Sequence, residues 1–108
     1  ITNKIGKAIP DGYTITTDVG QNQVWVAQSF YIKQNQNVFF SGGLGSMGYS
    51  LPAAIGAYYG SKKPVVSFNG DGGLQMNIQE LNTVKENNLP IKNCSLLLAK
   101  SFQSRLLC

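Results

Sequence analysis

Asp71 stands in the run Gly70-Asp71-Gly72-Gly73, a carboxylate with glycine on both sides. Glycine lets backbone come close to a ligand and aim N–H groups at it. A hard cation such as Mg²⁺ takes oxygen ligands and often bridges a carboxylate to phosphate oxygens, so Asp71 is a candidate metal ligand. A solvated Gly-Asp-Gly turn is the competing reading, and on this motif alone the two stand even. Two further loops share the character. Asp18-Val19-Gly20-Gln21-Asn22-Gln23 carries side-chain amides that can donate to phosphate oxygens without adding charge, and Ser41-Gly42-Gly43-Leu44-Gly45-Ser46-Met47-Gly48 is dense in glycine.

The remaining composition narrows what else could act. With no His among 108 residues, the Ser-His-Asp triad, the Cys-His pair and imidazole-bound metal sites are excluded. Five acids (Asp11, Asp18, Asp71, Glu80 and Glu86) leave few groups to hold protons or metal, which points to chemistry borrowed from a cofactor. The net charge of +4 is scattered, and the one adjacent basic pair, Lys62-Lys63, reads as a solvated loop, so no nucleic-acid partner is expected. Cys94 and Cys108 fit no metal-ligand spacing and read as free thiols. No apolar run approaches the ~20 residues of a membrane span and no signal peptide is visible, so a cytoplasmic location away from membranes is expected.

These loops need a frame to hold them. The chain is 43% hydrophobic and long enough to bury a core without disulfide staples. Ile1, Ile5 and Ala8 recur at helical spacing before Pro10-Asp11-Gly12, so the chain opens in the last turns of a helix and looks cut from something longer. Tyr13 to Thr17 reads as a buried strand, Val24 to Ile32 as a helix, and Asn37 to Phe40 as a second strand. Ser50 is the expected cap of a helix with Pro52 in its first turn and Gly60 at its end. Val65 to Phe68 is a third strand. Asn77 to Glu86 is a helix with Asn77 and Glu80 at capping-box spacing and Ile78, Leu81 and Val84 on its apolar face. Ile91 to Ala99 is a fourth strand. This alternation predicts an α/β fold, a parallel sheet with helices on both faces. Ligands of such sheets bind outside the carboxyl ends of the strands, where all three loops fall. Each loop alone reads as a tight turn; three at one edge favour a phosphate or cofactor site.

Two ligand classes compete. Gly43-Leu44-Gly45-Ser46-Met47-Gly48 matches G-x-G-x-x-G between a strand and a helix, with Asp71 ending the next strand, as in a dinucleotide-binding module of an oxidoreductase. The glycines around Asp71 suit a metal ion better than a ribose.

Three blocks then carry a resemblance. Asp18 to Gln28 (DVGQNQVWVAQ), Ser41 to Ala57 (SGGLGSMGYSLPAAIGA) and Gly70 to Leu81 (GDGGLQMNIQEL) resemble, in order and spacing, the thiamine-diphosphate-binding domain of acetolactate synthase large subunits. The likeness runs from about Asp11 to Lys92. It implies thiamine diphosphate and Mg²⁺ as cofactors, a 2-keto acid such as pyruvate as substrate, and decarboxylation followed by transfer of a two-carbon unit. Transferase and lyase chemistry in branched-chain amino acid biosynthesis, in a homodimer or homotetramer at full length, are implied with it. By the same resemblance Gly20, Gln21 and Asn22 bind the diphosphate, with Asn22 where the family usually has His. Gly45 offers its carbonyl to the aminopyrimidine beside Ser46, Met47 is the apolar wedge that bends the cofactor, Asp71 ligates Mg²⁺, and Gly70, Gly72 and Gly73 lie near the diphosphate.

The resemblance has gaps. The Glu that activates the aminopyrimidine in the family lies on another domain, and neither Glu80 nor Glu86 matches it, so no catalytic residue is expected in this chain. The family's second metal ligand, an Asn about 26 to 27 residues after the Asp, falls on Leu97 and Leu98, and leucine cannot ligate Mg²⁺. Asn93 comes too early. From Asn93 to Cys108 the pattern departs from the family, which fits a divergent end, a shifted reading frame or a shortened chain. The whole therefore reads as one partial domain over 1–108, with weak cofactor binding and no turnover expected of it alone, and an inactive fragment as the third reading.

Overall fold

The structure is a computed structural model that describes residues 2–98 and 104–107. Its elements run α1 (Thr2–Ala8), β1 (Thr14–Thr17), α2 (Gln21–Ser29), β2 (Asn37–Phe40), α3 (Ser50–Ser61), β3 (Val65–Gly70), α4 (Asp71–Met76), α5 (Glu80–Glu86), β4 (Ile91–Leu98) and β5 (Ser104–Leu107). The five strands lie in the order β2-β1-β3-β4-β5. Strands β1 to β4 are parallel, as the strand-loop-helix alternation predicts. Strand β5 adds an antiparallel edge beside β4, a feature that the sequence reading does not contain. Ile1, Ala99 and Cys108, which enter that reading, lie outside the described residues.

Alternation along each strand sends side chains to two faces. On one, Ile15, Val66, Phe68 and Cys94 meet Ile9, Val26 and Phe30 in the main core, with the Phe30 and Phe68 rings edge to face at 5.8 Å. That packing helps to end α2 at Ser29, short of the expected Ile32: Phe30 leaves the helix with extended backbone. The other face carries Thr14, Thr16, Val65 and Ser67 beneath Ser50, Leu51 and Ala54 of α3, all fully or almost fully buried.

The structure corrects several expectations, most of them through contacts distant in sequence. Ser50 does not cap α3: it is the helix's first residue, and its hydroxyl joins a buried chain, 2.9 Å from Thr16 Oγ1 and 2.8 Å from Ser67 Oγ. Asn77 does not cap either: it closes α4, its Nδ2 donates to the Gly48 carbonyl at 2.7 Å, and the predicted helix from Asn77 is replaced by α4, a turn and α5, which starts at Glu80. Ile78, in that turn, is half exposed rather than on a buried face. Cys94 is buried and disulfide-bonded rather than a free thiol. Among the described residues no helix is long and apolar enough to cross a membrane.

Candidate functional site

Chain direction across the sheet reverses between β1 and β3, since β1 leads outward to β2 and β3 leads the other way to β4. Open α/β sheets bind ligands in the crevice at such a switch point. A cleft opens there, lined by Val19, Gly20, Gln21, Asn22 and Trp25 from one side and by Met47, Gly70, Asp71, Gly72 and Gly73 from the other. Its volume of about 190 Å³ falls short of the ~300–1,000 Å³ of pockets that bury a drug-sized ligand, so the cleft can enclose only part of a ligand of that size.

Gly20 makes the first wall possible. At φ +124° it turns the chain directly from β1 into α2, and the first amides of that helix have no intrahelical carbonyl to meet. Exposed N–H groups at the start of a nine-residue helix favour an anion. Gln21 is exposed at this edge, whereas Asn22 is buried and its Nδ2 donates inward, to the Asp18 carbonyl at 2.7 Å and weakly to Thr17 Oγ1 at 3.4 Å. Asn22 thus offers the cleft its position but spends its donor on the β1 end.

The opposite wall begins where β3 passes straight into α4. Asp71 is exposed, and its Oδ1 accepts the Gly72 amide at 2.8 Å. A Cβ at Gly72 would stand 3.5 Å from Met47 Cε, and one at Gly70 3.5 Å from Asn22 Oδ1, so side chains there would fill the crevice. Met47 is half exposed and reaches into the cleft from the loop before α3.

Eight residues singled out from the sequence therefore meet in one crevice: Gly20, Gln21, Asn22, Met47, Gly70, Asp71, Gly72 and Gly73. Gly45 and Ser46 do not line it. Gly45 sits at φ +64° behind Val19, and the Ser46 amide donates to Ser41 Oγ at 3.1 Å within the loop. Val19 and Trp25 line the cleft without having been singled out. For Trp25 the signal was available, since it falls one helical turn beyond Gln21 and Asn22 and so on their face.

Metal chemistry is confined to one carboxylate here. Among the described residues no group of three or more His, Cys, Asp or Glu gathers. Asn93 pairs with Ser67 inside the sheet, where its Oδ1 accepts from Asn69 Nδ2, which keeps it away from Asp71. Leu97 and Leu98 close β4, past the last β3 pair, Gly70 with Leu96.

The G-x-G-x-x-G run follows β2, the edge strand, while the crevice lies between β1 and β3. In a dinucleotide fold the glycine loop would itself stand at the switch point. Here the crevice is instead shared among three loops. The chain belongs to the thiamine pyrophosphate enzyme family, matching the model of its C-terminal TPP-binding domain over residues 18–96. It is 46% identical over 93 residues to acetolactate synthase isozyme 1 large subunit of Escherichia coli K12, covering 85% of this chain and 16% of that protein. It is 52% identical over 83 residues to the probable acetolactate synthase large subunit of Methanocaldococcus jannaschii, covering 74% and 14%. Against the chloroplastic acetolactate synthase of Arabidopsis thaliana it is 49% identical over 88 residues, covering 81% and 12%. The chain thus spans about one-eighth to one-sixth of the length of these relatives.

Proposed function

We propose that this chain is the thiamine-diphosphate-binding portion of an enzyme of acetolactate synthase type, acting on 2-keto acids such as pyruvate. The observation that carries the reading is the convergence of the three glycine loops on one crevice at the switch point. In it, Gly20, Gln21 and the first turn of α2 hold the diphosphate with Gly70, Gly72 and Gly73, Asn22 shapes the floor, and Asp71 ligates Mg²⁺. Met47 supports the ring end of the cofactor, and Gly45 and Ser46 act from the same loop.

When bound, thiamine diphosphate supplies the acidic thiazolium carbon at which a 2-keto acid loses carbon dioxide and from which a two-carbon unit is passed on. The residues here bind and orient; none of them is assigned a proton-transfer role, and Glu80 and Glu86, both after the α4–α5 turn, line no part of the cleft. The reading carries with it the family's homodimer or homotetramer, a place in branched-chain amino acid biosynthesis and a cytoplasmic setting. Calorimetric titration of the chain with thiamine diphosphate and Mg²⁺, run beside NAD(H), tests it. Binding of the thiamine cofactor alone, weaker than micromolar, is the expected result. Binding of NAD(H) instead, or of neither by a folded chain, overturns the reading.

A further inference from the structure

We infer that Asp18 and Asn77 are positioning residues that clamp Gly48 from both sides and so set where Met47 stands against the ring end of the cofactor, an inference that rests on the cofactor reading above. The Gly48 amide donates to both Asp18 carboxylate oxygens at 3.0 Å, and the Tyr49 amide donates to Oδ1 at 3.3 Å. On its other side the Gly48 carbonyl accepts from Asn77 Nδ2 at 2.7 Å. Gly48 has φ +79°, and a Cβ there would come within 2.7 Å of Asn77 Nδ2 and 3.0 Å of Met76 Cβ. The position therefore demands glycine twice over, for its backbone and for its neighbours.

Each member of the clamp comes from a different segment of the chain. Asp18 ends β1, Gly48 precedes α3 and Asn77 follows α4, so three segments distant in sequence are tied at one peptide. Asp18 is fully buried, and a Cβ at Gly73 would fall 2.1 Å from its Oδ2, which packs the start of α4 on the same carboxylate. None of Asp18, Gly48 and Asn77 lines the cleft, whereas Met47, the residue just before the clamped glycine, does. Methionine is a flexible filler with three rotatable bonds, so where its side chain can reach is decided by how firmly its backbone is held.

The division of labour makes the inference separable from general damage. No described hydrogen bond joins Gly20, Gln21, Gly72 or Gly73, which face the diphosphate end, to Asn77, so removing Asn77 loosens the Met47 side first, whereas Asp18 also carries Val19 and Gly73. The test compares two ligands, Mg²⁺-pyrophosphate and Mg²⁺-thiamine diphosphate, titrated into the 108-residue chain by calorimetry and by fluorescence of Trp25, its single Trp and a cleft residue. Asn77→Ala is expected to weaken thiamine diphosphate binding by about tenfold or more while pyrophosphate binding stays within about twofold. Asp18→Asn keeps an acceptor at Oδ1 for the Val19, Gly48 and Tyr49 amides but sets an N–H donor against the Gly48 amide in place of Oδ2, and is expected to weaken thiamine diphosphate binding at least as much as Asn77→Ala. Equal losses for both ligands, or no loss for either, overturn the inference. Failure of the wild type to bind thiamine diphosphate counts against the cofactor reading instead. The clamp is then decided by amide hydrogen exchange at Gly48 and Tyr49, which must quicken in Asn77→Ala without a matching fall in melting temperature. Unchanged exchange overturns it.

Discussion

Asp18 and Asp71 follow neighbouring parallel strands at the same edge of the sheet, each with glycine close by, and their carboxylates have opposite fates. Asp18 has no exposed surface and accepts the amides of Val19, Gly48 and Tyr49, so its oxygens are consumed in holding loops together. Asp71 is exposed at the cleft and accepts only the amide of Gly72 among the described hydrogen bonds, which leaves Oδ2 for a ligand. Equal residue type at equivalent places in a fold is thus no guide to role. What separates the two is where the next backbone passes: the loop before α3 folds over Asp18, whereas Asp71 stays exposed among the described residues.

The strongest way to break this comparison is to remove the buried carboxylate. Asp18→Ala strips the acceptor from three amides, and leaving buried N–H groups unpaired costs ~1–3 kcal/mol each before water relieves part of it. A loss of about 3 kcal/mol is expected, a fall of roughly 10–20 °C in melting temperature for a chain this size. Followed by Trp25 fluorescence in urea, a stability equal to that of Asp71→Ala would erase the distinction. Gly73→Ala attacks the same carboxylate sterically. Its Cβ would lie 2.1 Å from Asp18 Oδ2, a clash only backbone movement can relieve, and overpacking of this kind costs ~1–3 kcal/mol. Thermal melts showing less than about 0.5 kcal/mol would mean that α4 moves freely over Asp18.

Asp71→Asn is the counterpart on the exposed side. Stability is expected to stay within about 0.5 kcal/mol, since no buried group loses a partner. Titration of thiamine diphosphate with and without Mg²⁺ should show metal dependence in the wild type and none in the variant. A variant that still responds to Mg²⁺ would remove Asp71 from the metal site.

How far these roles were legible in the sequence follows the range of the interactions. The β-branched run Thr14 to Thr17 and the apolar stretches at Val65 and Ile91 declare strands locally, and the glycine loops between them mark the edge where ligands bind. Asn77 and Ser50 misled because their local spacing suits helix caps, while their side chains answer to Gly48 and to Thr16, each about 30 residues away. Residue spacing cannot register such a partner. Asp18 was visible only as the start of a glycine loop, since its burial depends on a segment that arrives later in the chain. The antiparallel β5 lies where the sequence leaves the family pattern, so no motif announced it.

The smallest expected effect sharpens the exposed side of the comparison further. Asp71 works alone among the described side chains, and β4 carries its backbone past the Gly70–Leu96 pair, so that Leu97 and Leu98 close the strand at the same sheet edge as Asp71. Replacing both positions supplies amide oxygens at that sheet edge, the ligand type that a hard cation takes. Leu97→Asn with Leu98→Asn is expected to raise the Mg²⁺-dependent affinity for thiamine diphosphate by about threefold to tenfold, near 1 kcal/mol. The gain must vanish when Asp71→Asn is added, because an amide oxygen without the carboxylate holds Mg²⁺ poorly. A gain that survives the loss of Asp71 would mean that the new side chains act on the cofactor directly, and that the exposed carboxylate at this edge is no more a ligand than the buried one.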